Sequence, residues 1–403
     1  MRSLILITAT LSFVGLLSAQ EAKVWTLQEC VNYALENNIS IKQSELDKNI
    51  AVQDVIAAKW NFAPNLNAST SYGYNFGSSI TATGVRVGAD FQSNNFGINS
   101  AVNLFDGFAN VYTLKQSKIG VEAQEAALEK MRNDISLNVV NGYLQVLFAK
   151  EQVRVAQSQV EISEIQVDRI QELVNVGSFA EGDLFNVKSN LATDQQNLVV
   201  AQNTQEMAVL RLAQLLQLKT STIDVKDVTI EATDKAILSN DVMIIYNKAN
   251  EIFPEIKLAE LNIKSAEQGV KISKASFYPT LSLNMGMSTI YQHRQGFEDL
   301  VNFSDQLDRN LDKSIRLSLN IPIFNRFQFR SSVNKSKINY LRNEYLLEGE
   351  RLRLRETIQT AYTDAKAASK SYEASKISVD AQIKAFNYAD ERYKAGAINS
   401  FDF

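Results

Sequence analysis

Two hydrophobic patterns alternate along the chain, one with the spacing of an α-helix and one with the period of a β-strand. Residues 26–61 place apolar side chains on one helical face, and the segment 36–40 interrupts that pattern. Pro64 ends this helix, because proline removes a backbone donor. Residues 107–174 contain no proline and predict a single helix of roughly 100 Å.

The longest predicted helix carries the seam of a coiled coil. One row repeats every seven residues at Val139, Val146, Val153, Val160, Val167 and Val174. A second row is mostly small and comprises Gly142, Ala149, Ala156, Ser163 and Ile170. Small residues let a partner helix approach closely, so we expect this helix to pack against others. A further helix is predicted over 184–218.

Four segments of about ten residues alternate apolar and polar positions, as strands with one apolar face do. The apolar sets are Leu66, Ala68, Thr70, Tyr72, Tyr74 and Phe76; Phe96, Ile98, Val102 and Leu104; Leu281, Leu283, Met285 and Met287; and Ile315, Leu317, Leu319 and Ile321. Residues 77–94 are predicted to be a loop. The strands have the length of a tilted membrane-spanning strand, and aromatic residues cluster near their ends. A soluble sheet would need a covering layer of its own, and the rest of the chain is long helix.

The chain also repeats itself. Residues 34–67 match 249–282, where Ala249 aligns with Ala34 at a shift of 215. Residues 105–183 match 324–402, where Phe324 aligns with Phe105 at a shift of 219. We therefore predict a first repeat over 20–240, with helix, two strands, long helix and helix. The second repeat, 241–403, is expected to lack the final helix.

The N-terminus has the pattern of a secretory signal peptide over 1–19. Arg2 precedes an apolar core, and small residues precede Gln20. No later stretch has the ~18 continuous apolar residues that a transmembrane helix needs. The single cysteine, Cys30, allows no intramolecular disulfide. The net charge of −4 gives no basic surface for nucleic acid, so we expect no nucleic-acid partner.

The sequence offers no catalytic constellation. His293, the only histidine, falls in a predicted outer loop, and Cys30 lies on the apolar face of the first helix. There is no phosphate-binding loop and no dinucleotide fingerprint, so energy for transport would come from a partner. We expect no enzyme activity, no cofactor and no metal site.

Four strands per chain are too few to close a membrane barrel, since single-chain barrels need at least eight strands and lipid tolerates no open edge. The chain is therefore expected to oligomerise. Because each repeat runs helix, strand, loop, strand, helix, the strand loops should lie at one end and the helices at the other.

The duplicated "ALENN…AxxxxxPxL" segment, the strand pairs, the long seam and two glycine turns together resemble the TolC family of outer-membrane efflux proteins. The opening "WTLQECVNYALENN" is also similar to that family's first helix. The resemblance covers nearly the whole mature chain. It implies a homotrimer in which long coiled-coil helices form an α-barrel in the periplasm. Four strands per chain would contribute to a twelve-stranded β-barrel in contact with outer-membrane lipid.

The two turns, "VGSFAEGDLF" and "AGAINSFDF", correspond by resemblance to the periplasmic tips of the helical hairpins. The resemblance implies that these tips dock on the periplasmic adaptor (membrane fusion) protein of an inner-membrane pump. The implied docking residues are Val176, Gly177, Ser178, Phe179 and Ala180, with Ala395, Gly396, Ala397 and Ile398. Gly177 and Gly396 suit a left-handed helix C-cap.

The aspartates that follow the turns, Asp183 and Asp402, have two readings. Each can cap the next helix as an N-cap residue. By resemblance, each can also form a ring of negative charge around a closed aperture, where it would favour cations. The sequence leaves both roles open. After Asp402 only Phe403 remains, so the second tip is incomplete.

The favoured function is a passive outer-membrane conduit in a tripartite efflux or secretion system. The alternative is an exported coiled-coil scaffold or adhesin without a pore, which would need no alternating strands with aromatic ends. A periplasmic enzyme is disfavoured, because ionisable residues do not cluster. The sequence does not separate drug, metal and protein cargo, since the partner pump largely selects the cargo.

Overall fold

The computed structural model describes residues 24–80, 84, 86–88, 90–218, 223–228, 241–294 and 301–398. It divides into two units, one of residues 1–42 and 131–231 and the other of residues 43–130 and 232–403. The predicted signal peptide and Asp402 lie outside the described residues. Within the described ranges, no helix combines the length and apolarity that crossing a membrane requires.

The first helical segment is broken where the sequence predicts. Helix α1 (Leu27–Asn37) and helix α2 (Ile39–Trp60) meet at Asn38, whose extended ψ of 129° interrupts the helix. Helix α1 begins with a capping box in which Thr26 and Glu29 each bind the other's backbone N–H.

Two long helices follow, in agreement with the heptad pattern. Helix α3 (Ala109–Asn175) runs for 67 residues, and helix α4 (Glu181–Leu215) returns along it after a short turn. The unit of residues 1–42 and 131–231 is built around the second part of α3. Its core also includes a parallel pair of two-residue strands, β1 (Val24–Trp25) and β6 (Asp224–Val225).

The other unit contains an antiparallel sheet of four strands in the order β2-β5-β7-β8. These strands are β2 (Asn67–Asn75), β5 (Phe91–Phe105), β7 (Thr280–Arg294) and β8 (Asp312–Asn320). A separate hairpin pairs β3 (Ser78–Ile80) with β4 (Arg86–Gly88). Part of the region predicted as a loop, 77–94, is therefore strand. Strands β5 and β7 each have 15 residues, which is longer than the sequence pattern predicts.

The remaining helices precede, separate or follow strands β7 and β8 along the chain. Helix α5 (Val242–Ile252) ends before Pro254, which opens helix α6 (Pro254–Ala275), and a short helix α7 (Phe303–Arg309) lies between β7 and β8. Helix α8 (Gln328–Lys394) has 67 residues, the same length as α3. Helices α1 and α5 both have 11 residues, and α2 and α6 both have 22. The aligned helices of the two predicted repeats thus have equal lengths, and the duplication itself stays a prediction.

Each unit has its own buried cluster. In the unit of residues 1–42 and 131–231, Cys30, Val139, Tyr143, Val146 and Leu212 are fully enclosed. In the other unit, Ile256 of α6 packs with Leu347 and Leu354 of α8. The Arg351 guanidinium lies 3.1 Å from the Glu260 carboxylate at the same α6–α8 contact. Burying apolar residues between helices stabilises each bundle by about 25 cal/mol per Å² removed from water.

Candidate channel sheet and helical tips

The four-stranded sheet has one apolar face. The register places Ile98 between Ala68 and Met287, and it places Leu283 between Val102 and Leu317. This agrees with the predicted apolar sets within the strands, apart from Leu104, since a register shift between Asn103 and Phe105 puts Phe105 opposite Leu281. The predicted positions Leu66, Phe76 and Ile321 lie just outside the strands. Large side chains on this face are open to solvent, with Ile315 79% and Leu317 62% exposed. Within the described chain, only helix α7 contacts this face, at its hairpin end, where the Thr289 hydroxyl donates to the Leu307 carbonyl at 2.6 Å and the Tyr291 and Phe303 rings lie 4.9 Å apart.

Aromatic residues border the apolar face at both ends. Tyr72, Tyr74 and Tyr291 lie near the hairpin end, where the Tyr74 and Phe76 rings are 4.5 Å apart. At the helix end, the Phe105 and Phe108 rings lie 5.3 Å apart. From Leu281 to Tyr291, ten steps of ~3.4 Å span ~34 Å along the strand, or ~25 Å at the tilt typical of membrane barrels. This is the height of the apolar band of an outer-membrane barrel.

The opposite face of the sheet is polar and carries few charges. It consists mostly of asparagine, serine and glycine, and its polar members are Asn67, Ser69, Ser71, Asn75, Ser93, Asn95, Asn99, Asn103, Thr280, Ser282, Asn284, Ser288, Gln292, Arg294, Asp312, Ser314, Arg316, Ser318 and Asn320. Gly97 and Gly286 also lie here, each facing a serine hydroxyl of the neighbouring strand. Such a face is suited to water.

Both edges of the sheet lack a strand partner within the described residues. Strand β2 pairs only with β5, and strand β8 pairs only with β7. Each edge therefore presents unpaired backbone N–H and C=O groups. In a hydrocarbon environment these groups need partners, because each unsatisfied group costs several kcal/mol.

The turn between α3 and α4 begins as the sequence predicts, with a left-handed glycine. Gly177 has a φ of +74°. Its N–H donates to the Val174 carbonyl at 2.9 Å, and the Ser178 N–H donates to the Leu173 carbonyl at 2.8 Å. This pair of hydrogen bonds is the Schellman motif, which satisfies the last carbonyls of α3. A Cβ at Gly177 would meet no atom within 4 Å, so only the backbone conformation calls for glycine.

The first tip exposes apolar residues around that glycine. Val176 is 74% exposed and Phe185 is 65% exposed, whereas Leu184 is buried. Phe179 is half-buried, and Ser178 and Ala180 are exposed. Leu184 anchors the start of α4 while its neighbours stay accessible.

The end of α8 forms the same motif. Gly396 has a φ of +68°, its N–H donates to the Tyr393 carbonyl at 3.0 Å, and the Ala397 N–H donates to the Arg392 carbonyl at 2.8 Å. Ala395 is exposed and Ile398 is half-buried. The structure therefore confirms the left-handed conformation at both glycines. The two turns belong to different units.

Asp183 is not the N-cap of α4, which corrects one of the two predicted roles. The helix begins at Glu181, and its N-cap is Ala180, which makes no side-chain capping bond. Asp183 lies in the first turn, together with Glu181, and its side chain is exposed. Helix α4 therefore begins three residues before the predicted start at residue 184. There the two carboxylates are favourably placed near the positive end of the helix dipole.

The α3–α4 hairpin is joined by its predicted seam. Val160 is 5% exposed and Ile170 is 9% exposed, while Ala149 is 2% exposed. Buried Ser163 of α3 donates from its hydroxyl to the Asp194 carboxylate of α4 at 2.5 Å. A polar contact within a small-residue seam fixes the register of the two helices.

A clasp that sequence reasoning missed holds β1 and β6 against α3. The Tyr143 hydroxyl lies 3.1 Å from the Trp25 carbonyl and 2.6 Å from the Lys226 carbonyl. The Lys150 ammonium lies 2.6 Å from the Asp224 carboxylate and donates to the Val225 carbonyl at 2.9 Å. The Lys150 hydrogen bond lowers the pKa of Asp224, and burial raises the pKa of Tyr143.

The remaining reactive residues take structural positions. Cys30 is fully buried in the core, as predicted. His293 lies in β7 opposite Gln92, so its predicted loop position is wrong. Strand β7 continues to Arg294, beyond the apolar alternation from which the strand was predicted. Over the part of the chain that the structure describes, no group of three His, Cys, Asp or Glu residues could hold a metal ion.

The sequence is similar to that of known outer-membrane proteins. A family model described as outer membrane efflux protein matches residues 30–217 and 245–403. Protein CyaE of Bordetella pertussis is 24% identical over 371 residues, which cover 92% of this chain and 75% of that protein. Outer membrane protein TolC of Escherichia coli K12 is 23% identical over 405 residues, which cover 100% of this chain and 80% of that protein.

The fold is also found among solved structures. The outer membrane protein VceC from Vibrio cholerae superposes with a TM-score of 0.75 at 17% sequence identity. The match covers 93% of this chain and 87% of that protein. At this low identity the likeness is one of fold.

Proposed function

Since the chain belongs to the outer membrane efflux protein family, we propose that it is the outer-membrane channel of a tripartite efflux or secretion system. Its location is the cell outer membrane, with the helical part in the periplasm. The observation that carries the proposal is the four-stranded sheet, which has one apolar face bordered by aromatic residues and one polar face with few charges. That sheet fits between lipid and water.

The working form that we propose is a homotrimer. A single copy leaves β2 and β8 as open edges, and lipid tolerates neither. Pairing β8 of one copy with β2 of the next would close the sheet, and three copies of four strands give twelve. The apolar face would then contact outer-membrane lipid, and the polar face would line the pore.

Exposed apolar surface on the helices supports the same assembly. An open groove of 690 Å³ on the α3–α4 hairpin is lined in part by Leu144, Phe148 and Met207. Phe148 is 66% exposed and Leu144 is 43% exposed. In the proposed trimer these residues would pack against a helix of a neighbouring copy, which would extend the hairpins into an α-helical barrel.

The tips are proposed to dock on a periplasmic adaptor protein. The exposed Val176 and Phe185 beside Gly177 offer an apolar contact at the end of a rigid hairpin. Residues 395–398 would supply the second contact. Asp402, with Asp183 as the second candidate, is proposed to ring the closed aperture, where threefold repetition would concentrate negative charge.

The channel is proposed to be passive. The sequence holds no nucleotide-binding motif, so an inner-membrane pump would provide energy and select the cargo. The family consists of efflux channels, which bears against an enzymatic role.

The decisive experiment is planar-bilayer conductance of the native protein extracted from outer membranes. Discrete, reproducible current steps are expected from a closed barrel with a polar lumen. A well-folded oligomer that gives no current would overturn the channel and favour the coiled-coil scaffold. Protein denatured before addition to the bilayer is the control for leaks caused by detergent.

A further inference from the structure

We propose that Arg316 gives the passage through the sheet a preference for anionic solutes. The inference rests on the proposed function, because it requires the polar face of the sheet to line the pore. Within the β part of that pore, one residue would favour solutes of negative charge. The helical tips, with their acidic residues, are a separate part of the molecule.

Charged residues are rare on the polar face of the described strands. Arg294 is the last residue of β7 and Asp312 is the first residue of β8, so both lie at the hairpin end of the sheet. Arg316 alone lies at the centre of its strand, opposite Asn284. The electrostatic character of the middle of this face therefore depends on one guanidinium group.

Arg316 is surrounded by neutral groups. Asn284, Asn65 and Asn99 line the same open concavity of 340 Å³, together with Ser314. No carboxylate lies within ion-pair distance of Arg316 among the described residues, and its side chain is exposed. Amide and hydroxyl groups donate hydrogen bonds to an anion as readily as to water. Among the described residues the positive charge is thus uncompensated, and the side chain is accessible.

A charge in a water-filled passage with low-dielectric walls concentrates ions of the opposite sign. At ~7 Å in water, one unit charge changes the local concentration of a monovalent ion by about threefold at low ionic strength. An anion would be enriched and a cation depleted, so the ratio of the two changes by about sevenfold. In the proposed trimer, three copies of Arg316 would act on the same lumen.

The test measures the local potential beside Arg316 with a reporter thiol. Ser318→Cys places the thiol two residues along β8 on the polar face, and Leu317→Cys places it on the apolar face. The full chain, in isolated outer-membrane fragments at low salt, reacts with an anionic sulfonate or a cationic trimethylammonium methanethiosulfonate. The parent chain, whose Cys30 is fully buried, gives the unlabelled baseline.

The expected result has two parts. The thiol at position 318 reacts while the thiol at position 317 is protected by lipid. Arg316→Gln then lowers the ratio of anionic to cationic reaction rates by about threefold to sevenfold, whereas Arg316→Lys keeps the ratio. The matched control is Lys313→Gln, which removes the same charge from the same strand on the opposite face and leaves the ratio unchanged.

Each other outcome overturns a defined claim. If position 318 reacts, position 317 is protected and Arg316→Gln leaves the ratio unaltered, the anion preference fails and the channel stands. If Arg316→Gln and Lys313→Gln shift the ratio equally, the field does not come from a lumen-facing arginine, and the inference fails. If positions 317 and 318 react equally, the apolar face is not in lipid, and the proposed function fails with the inference.

Discussion

Helices α3 and α8 have equal length and an aligned heptad seam, yet the seam in the last half of α3 is largely buried and that of α8 is exposed. Val160 of α3 is 5% exposed, whereas Val379, its counterpart at a shift of 219, is 53% exposed. Tyr372 and Phe386 on the same stripe of α8 are 67% and 61% exposed. The difference is the partner helix, because α4 covers α3. A heptad seam therefore predicts that a helix needs a partner, and the described chain covers the seam in the last half of α3 but not in the last half of α8.

The largest expected effect comes from placing a charge on each seam. Val160→Asp buries an unpaired carboxylate between α3 and α4, and should cost about 3–5 kcal/mol of folding free energy. In a single copy, where the site is solvated, Val379→Asp at the matched position should stay within about 0.5 kcal/mol. Thermal unfolding of monomeric protein in detergent measures both. Equal losses there would contradict the contrast.

The next effect tests what fixes the register of the covered seam. Ser163→Ala removes the hydroxyl that binds the Asp194 carboxylate and should cost about 1.5–2 kcal/mol, because the charged acceptor keeps only the longer hydrogen bond from the Gln159 amide, at 3.4 Å. Its counterpart on the exposed helix is Gln382, and Gln382→Ala should be close to neutral. Chemical denaturation of the two variants compares them. A neutral Ser163→Ala would show that apolar packing alone sets the register.

The turn at the end of α3 gives a smaller change in stability but a large change in function. Gly177→Val places a β-branched residue at a φ of +74° and should cost about 1–2 kcal/mol. Gly177→Asn, which tolerates this conformation, is the matched control. We expect Gly177→Val to abolish transport while trimers remain in the membrane, measured by efflux and by native gel electrophoresis. Normal efflux by that variant would remove the docking role from the first tip.

The smallest effect concerns the Lys150–Asp224 ion pair of the clasp. Helix α8 has no equivalent lysine, because Ser369 stands at the position aligned with Lys150. Because Lys150 lowers the pKa of Asp224, the ion pair stabilises the fold fully above about pH 4–5, and this contribution is lost as pH falls through the folded-state pKa. Lys150→Gln should cost about 1 kcal/mol or less at neutral pH, since Asp224 is half exposed.

Acidification should therefore narrow the stability gap between the parent and Lys150→Gln. Unfolding midpoints between pH 7 and pH 3 measure this gap. A gap that is constant over that range would show that the ion pair contributes nothing and that the Lys150–Val225 hydrogen bond accounts for the effect.

The helices are predictable from the sequence because each hydrophobic pattern extends over dozens of residues with one period. Single residues with non-helical backbone conformations, such as Asn38 and Gly177, end these patterns. Strand faces were also predictable, because alternation of apolar and polar residues assigns each side chain to a face. Strand ends were not. Phe91 to Asn95 is mostly polar on both faces, so alternation of hydrophobicity gives no signal there although β5 has begun.

Contacts between segments that are far apart in the sequence could not be predicted. Strands β1 and β6 have two residues each, too few to show a period, and the Tyr143 clasp depends on where they meet α3. The N-cap role, one of the two roles predicted for Asp183, is wrong because any Asp before a helical pattern resembles an N-cap, whereas the helix begins at Glu181. The docking and aperture roles of the tips remain predictions.

The open edges of the sheet imply that folding of this protein depends on encounters between chains. In the proposed trimer, no copy can complete its hydrogen bonds in lipid until β8 has found β2 of another copy. The rate of assembly should therefore rise steeply with the number of newly exported chains, and the stability of one copy cannot be separated from its concentration. A lone copy in transit carries an apolar sheet with two unpaired edges, which is also a template for aggregation.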